Sequence, residues 1–157
     1  MEILADLHAH CYRGWKPESF FEKITGGVVG LATYPSSKDL FTYEDLVNDS
    51  NVTELQKGRF ARVHFGDSVG YIVNVQEVPT AEDFHLLCVG VRERIAPGDS
   101  LVATIRKIQS EGGLAIINHP YVQPTGHPLI RYGLIKGDKE KILDEGARQA
   151  DAIEVFN

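Results

Sequence analysis

The chain has 157 residues, enough for one domain that buries a substantial core without a stabilising crosslink. Its 22 acidic and 16 basic residues leave a net charge of -6 with no Lys/Arg-rich run, which disfavours nucleic acid as a partner. Two cysteines, Cys11 and Cys88, are too few for a disulfide scaffold, and there is neither a leader-like basic segment nor an apolar window of about eighteen residues, so the expectation is a soluble, cytoplasmic protein with reduced thiols and no membrane partner.

In chain order, residues 2–8 read as a first strand running into Asp6-Leu-His-Ala-His10. Pro17 to Ile24 opens with proline and acid, a helix start, and Gly26-Gly27 stops it. Val28 to Tyr34 is an apolar strand ending at Pro35, and Thr42 can cap a helix whose Tyr43, Leu46 and Val47 share a face. Residues 60–65 and 70–78 are β-rich and separated by Gly66-Asp67-Ser68, which predicts a hairpin or two adjacent strands. Phe84 to Val91 is a buried-type strand. After Pro97-Gly-Asp-Ser100, the spacing of Leu101, Ile105 and Ile108 predicts an amphipathic helix ending at Gly112-Gly113. A strand from Leu114 to His119, a Pro- and Gly-rich loop, a helix over 138–149 and a strand over 152–156 complete the chain. The alternation predicts an α/β fold with a largely parallel sheet, closer to a partial barrel than to an open sheet.

In an extended strand side chains repeat every second residue, so His8 and His10 point the same way, with Asp6 in phase. Two imidazoles on one face can share a Zn, Mn or Fe ion. Glu77 ends another strand, His85 lies on the next, and His119 ends the strand after the long helix. If all these strands run parallel, four histidines and a carboxylate meet at one sheet edge. Two ions bridged by Glu77, with His8 and His10 on one and His85 and His119 on the other, are then a chemically sensible arrangement, against a chance gathering of ordinary core histidines.

These residues resemble the polymerase and histidinol phosphatase (PHP) family. Asp6-Leu-His-Ala-His10 is similar to its opening motif, Gly112-Gly-Leu-Ala-Ile-Ile-Asn-His-Pro120 to its Gly-Gly…His-Pro segment, and Asp83-Phe-His-Leu-Leu-Cys-Val-Gly90 to its His-Leu-Leu strand. Gln76-Glu77 resembles its Gly-x-Glu strand end and Ala152-Ile-Glu-Val-Phe-Asn157 its Gly-Ile-Glu-Val-Tyr-Asn strand. The resemblance implies a distorted seven-stranded β/α barrel with up to three Zn, Mn or Fe ions, in which a metal-bound hydroxide hydrolyses phosphoesters. Carried over by position, His8, His10, Glu77, His85 and His119 match ligands, whereas Glu154 matches a recurrent strand-end residue that is not a firm ligand.

Departures from the family pattern shape the expectation. Tyr12-Arg-Gly-Trp15 replaces the usual Ser-Asp-Gly, Thr33-Tyr-Pro35 replaces Thr-Asp-His, and the late Ser-Asp-x-His motif has no counterpart before Asn157. The missing groups belong to a third ion and complete the first, so one or two divalent ions are expected. The chain reads as a single PHP-like domain over 1–157, an incomplete barrel with about six of seven strands. The missing strand would be supplied by a longer parent chain or a homo-oligomer.

Arg13 is a candidate phosphate contact, with a surface arginine as the plainer reading, and His127 a candidate acid or phosphate contact from the loop after His119. Trp15 and Tyr34 either wall a pocket or pack. Gly98-Asp-Ser-Leu101 spells a serine-esterase opening but reads as a turn and helix cap. The leading expectation is a metal-dependent phosphoesterase acting on a small phosphate ester or nucleotide. A degenerate, non-catalytic PHP domain that binds metal or scaffolds is the alternative, and a metal-dependent amidohydrolase the second.

Overall fold

Strand-forming apolar runs build one curled sheet, and the helices lie against its outer surface. The computed structural model describes residues 4–14, 26–34, 37–120, 122–123, 131–132 and 137–154. The expected helix from Pro17 to Ile24, together with Trp15 and His127, lies outside the described residues. In chain order the elements are β1 Ala5–Ala9, β2 Val28–Thr33, α1 Tyr43–Leu46, β3 Val52–Gln56, β4 Phe60–Phe65, β5 Ser68–Pro79 and β6 His85–Val89. They continue with α2 Leu101–Ser110, β7 Leu114–Asn118, β8 Val122–Gln123, β9 Arg131–Tyr132, α3 Asp138–Gln149 and β10 Ala152–Ile153.

The main sheet follows the order β1-β2-β5-β6-β7-β10, with β4 also paired to β5 and β3 to β4. Six strands along that path form a curled half-barrel, which fits a partial β/α barrel. The expectation of a largely parallel sheet is corrected: β1–β2, β2–β5 and β7–β10 are parallel, but β5–β6 and β6–β7 are antiparallel, as are both hairpin pairings. Geometry dictates the reversal, because only residues 80–84 join β5 to β6 and a parallel crossover needs about a dozen residues or more. Thr80 N–H closes that turn on Phe84 O at 2.8 Å, with Asp83 left-handed at φ 62.

Two apolar clusters back the sheet. Leu101, Ile105 and Ile108 of α2 pack with Leu86, Cys88, Ala115 and Ile117 of β6 and β7 and with Leu143 of α3. Full burial of each such side chain is worth about 1.5–3 kcal/mol, enough to fix α2 on the sheet. Ser100 caps α2 by accepting the Ala103 N–H, so Gly98-Asp-Ser-Leu101 is indeed a turn and cap.

On the other half, Tyr43 and Leu46 of α1 cover Val29, Leu31 and Ile72. A helix of one turn forms here because Thr42 and Asp45 cap it reciprocally: Thr42 Oγ1 accepts the Asp45 N–H and Asp45 Oδ2 accepts the Thr42 N–H. The β4–β5 hairpin turns at Gly66-Asp67, with Gly66 at φ 58. Gly30 is required by proximity, since a Cβ there would stand 2.5 Å from Leu7 O on β1. Ala32, Val75, Leu87 and Val89 form a smaller cluster. The strand β3, unexpected from sequence, is mostly exposed beyond Val52 and pairs only with β4.

Candidate metal centre

Four strands of the central path, β1, β5, β7 and β10, bring a histidine or a carboxylate to one rim of the sheet at or near their C-terminal ends, and the reversed β6 begins there. Glu77 lies near the end of β5, two residues before Pro79. His8 and His10 come from the end of β1, His119 follows β7, and Glu154 follows β10. His85 opens β6, so it reaches the rim only because β6 runs antiparallel. In the parallel sheet expected from sequence the first residue of β6 would lie at the opposite rim; the antiparallel direction is what brings His85 to the other four residues.

Glu77 is fully buried at 0 % exposure, and its two oxygens face different partners. Oε2 lies 3.4 Å from His8 Nε2 and 3.7 Å from His10 Nε2. Oε1 lies 2.7 Å from His85 Nδ1 and 3.5 Å from His119 Nε2, and accepts Asn118 Nδ2–H at 2.9 Å. His10 is oriented from behind, its Nδ1–H donating to Ala32 O at 2.8 Å, which leaves Nε2 towards Glu77.

Burial pushes the Glu77 carboxyl up, but hydrogen bonds to His119, His8 and His85 outweigh it and hold the group well below the usual carboxylate range. Burial pulls His8 down, yet Glu77 and Glu154 together raise it above an ordinary histidine. Glu77 is therefore an anion in a dry site, and charged or polar neighbours must compensate it.

The donors fit a divalent ion. Among the described residues three overlapping groups can each hold one: His8, His10 and Glu77; Glu77, His85 and His119; and His8, His119 and Glu154. Imidazole and carboxylate together suit Zn, Mn or Fe. Asn118 Oδ1 is also buried with no hydrogen-bond partner, an unsatisfied acceptor beside the carboxylate.

No family model matches the chain, and no curated protein or solved structure does so either. What stands is the geometry itself. Buried Glu77 and several histidines form a candidate metal-binding site, and five side chains singled out from sequence, His8, His10, Glu77, His85 and His119, are brought together.

Arg13 is placed differently from a free phosphate contact. Its guanidinium pairs with Asp45 Oδ2 and lies 5.1 Å from the centre of the Phe41 ring. Asp6 is exposed and caps the backbone, its Oδ1 accepting the His8 N–H at 2.9 Å, and it joins none of the three groups. Cys11 is buried and its thiol is pushed up by that burial, the reverse of an activated nucleophile.

Three contributors were missed or undervalued in sequence. Glu154 Oε1 lies 3.2 Å from His8 Nδ1 while Oε2 accepts the His119 N–H at 3.1 Å. Asn118, next to His119, grips Glu77. Tyr34 stacks on His10 with ring centres 5.1 Å apart, and burial and then the Glu77 charge raise its hydroxyl. Tyr34 also lines a cleft of about 240 Å³ with Thr33, Gln76, Arg92 and Arg94. Thr33 and Gln76 alternate with Ala32 and Glu77 along their strands, so the cleft opens on the face away from Glu77. Tyr34 is shared between the cleft and the cluster.

Proposed function

We propose that the chain is a metal-dependent phosphoesterase of the PHP kind its motifs resemble, acting on a small phosphate ester or nucleotide. The observation that carries this reading is Glu77, a wholly buried carboxylate with two histidines on each oxygen. That is the donor arrangement of a carboxylate shared by two ions, His8 and His10 holding one, His85 and His119 the other. Ions bound there supply Lewis acidity, a lowered pKa for water and neutralisation of charge developing on phosphoryl oxygens.

The chain's own residues do the rest. Asn118 fixes the Glu77 carboxylate through its Nδ2–H, and Ala32 O fixes the His10 ring. Tyr34 stacks on the His10 ring and borders the cluster on that side. Arg13, whose guanidinium is engaged by Asp45, is not assigned a phosphate contact.

A screen of phosphomonoesters and phosphodiesters with Mn²⁺ and Zn²⁺ tests the proposal. Turnover is expected in the wild type and lost in His119→Ala; equal turnover in the variant would remove the site. The pairing of Arg13 with Asp45 favours a second reading, a domain that binds metal without catalysis. That reading predicts metal uptake with no turnover of any ester in the screen.

A further inference from the structure

We infer that the cleft over the outer face of β2 and β5 is a second binding site, for a small molecule carrying one phosphate group, separate from the histidine cluster and independent of whether that cluster holds metal.

The cleft is a polar gap in an apolar face. Side chains alternate along a strand, so Val29, Leu31 and Thr33 share one face of β2, and Ile72, Asn74, Gln76 and Val78 share one face of β5. Val29, Leu31 and Ile72 pack under α1, and Val78 packs in the cluster under α2. Between those two clusters the same face turns polar, and Thr33, Asn74 and Gln76 line a cleft of about 240 Å³. Asn74 is buried, and a buried amide costs free energy unless it is hydrogen-bonded.

Both amides are spent largely on one segment, residues 91–95, which follows β6. Asn74 Nδ2 donates to Val91 O at 3.3 Å and to Gly58 O at 2.9 Å. Gln76 Nε2 donates to Glu93 O at 3.0 Å, while its Oε1 accepts the Ile95 N–H at 2.9 Å. Val91 and Ile95 are buried in the core at either end of the segment, and Arg92, Glu93 and Arg94 between them are exposed. The backbone is thus held at both ends and from beneath, and Arg92 and Arg94, which line the cleft, rise from a fixed base. The stem of Arg92 has a seat of its own on Gly58, where a Cβ would come within 2.7 Å of Arg92 Cγ.

Charge selects the ligand. In a chain of net charge -6, two guanidinium groups line one small cleft, and among the described residues lining it Glu44 is the one carboxylate. A guanidinium presents several N–H donors in a planar fork that matches the oxygens of a phosphate group. Glu93 competes weakly for Arg92, because the pair is 3.8 Å apart and both side chains are exposed. Glu44 repels a second anionic group, which favours a phosphomonoester over a diphosphate. The volume is below the range of about 300–1,000 Å³ usual for drug-sized ligands, so the remainder of the molecule is small. Glu77 alternates with Gln76 and faces the other side of the sheet, so a phosphate held by Arg92 and Arg94 is not presented to the cluster.

Titration of the full chain with inorganic phosphate, read at the Arg92 and Arg94 side-chain Nε–H signals by NMR, tests the site. Saturable shifts of both signals are expected. In Arg92→Gln and Arg94→Gln, read at the remaining arginine, affinity is expected to fall about tenfold or more. Lys107→Gln removes the same charge from an exposed position on α2 and is expected to leave the affinity unchanged. In His119→Ala the arginine shifts and their affinity are likewise expected to persist. Loss of the shifts in His119→Ala would move the phosphate to the cluster and overturn the inference. So would an unsaturable response, an equal affinity in the arginine variants and Lys107→Gln, or acetate binding as tightly as phosphate.

Discussion

Behind β6 and β7, α2 and α3 bury a continuous apolar layer. Behind β1, β2 and β5 there is among the described residues a helix of four residues and a chain segment returning past Leu40, and the β3–β4 hairpin extends the sheet beside β5. The first half is held by area: Leu101, Ile105 and Ile108 are completely buried. The second is held more by backbone pairing and caps, with β2–β5 and β4–β5 each paired over six residues. The cluster sits on the seam, taking His8 and His10 from one half and His85 and His119 from the other. Glu77 on β5 joins them, so the site depends on both halves keeping their register.

Several substitutions break or sharpen this contrast. Ile105→Ala is expected to cost about 2–5 kcal/mol of folding stability, through lost burial and the cavity left under α2. Denaturant unfolding should remain a single transition in which both halves unfold together. Separate transitions would show that the halves are independent. On the other half, Gly30→Ala drives a methyl group against Leu7 O and is expected to cost about 1–3 kcal/mol, read in the same way. Because β1 carries His8 and His10, this smaller loss should weaken metal uptake more than Ile105→Ala does.

Thr42→Ala removes the cap of α1 for about 1 kcal/mol. The same box predicts a pH dependence. Burial pushes Asp45 up, but hydrogen bonds from Thr42 and the Arg13 charge outweigh it and leave its pKa lowered. A depressed folded-state pKa means that the contribution is complete above the unfolded value of about 3.9 and is lost as pH falls through the folded value. Acid unfolding followed by circular dichroism should therefore lose a small component below about pH 4 in Asp45→Asn. An identical acid profile would show that the cap is already broken in the wild type.

The helices α2 and α3 were legible because each repeats its apolar residues at helical spacing and is bounded by caps or glycine. The strand β3 was not, since Thr53 to Gln56 are exposed and bury no alternating face. The direction of β6 was in fact available: only residues 80–84 separate Pro79 from His85, too few for a parallel return. The five residues of the cluster were legible as types placed at strand ends, but the way they share Glu77 was not. Glu154 was undervalued because its partner His8 stands 146 residues away, and no local pattern reports a pairing made by the curl of the sheet. Arg13 illustrates the reverse, a cation whose partner Asp45 is engaged in capping the neighbouring helix.

The most direct test of the central claim is the metal content of purified protein after dialysis, measured by plasma mass spectrometry for the wild type beside Glu77→Gln. One or two equivalents of Zn, Mn or Fe in the wild type, and none in the variant, is the predicted result. Equal metal content in the two proteins, or none in the wild type after incubation with each ion, would contradict it.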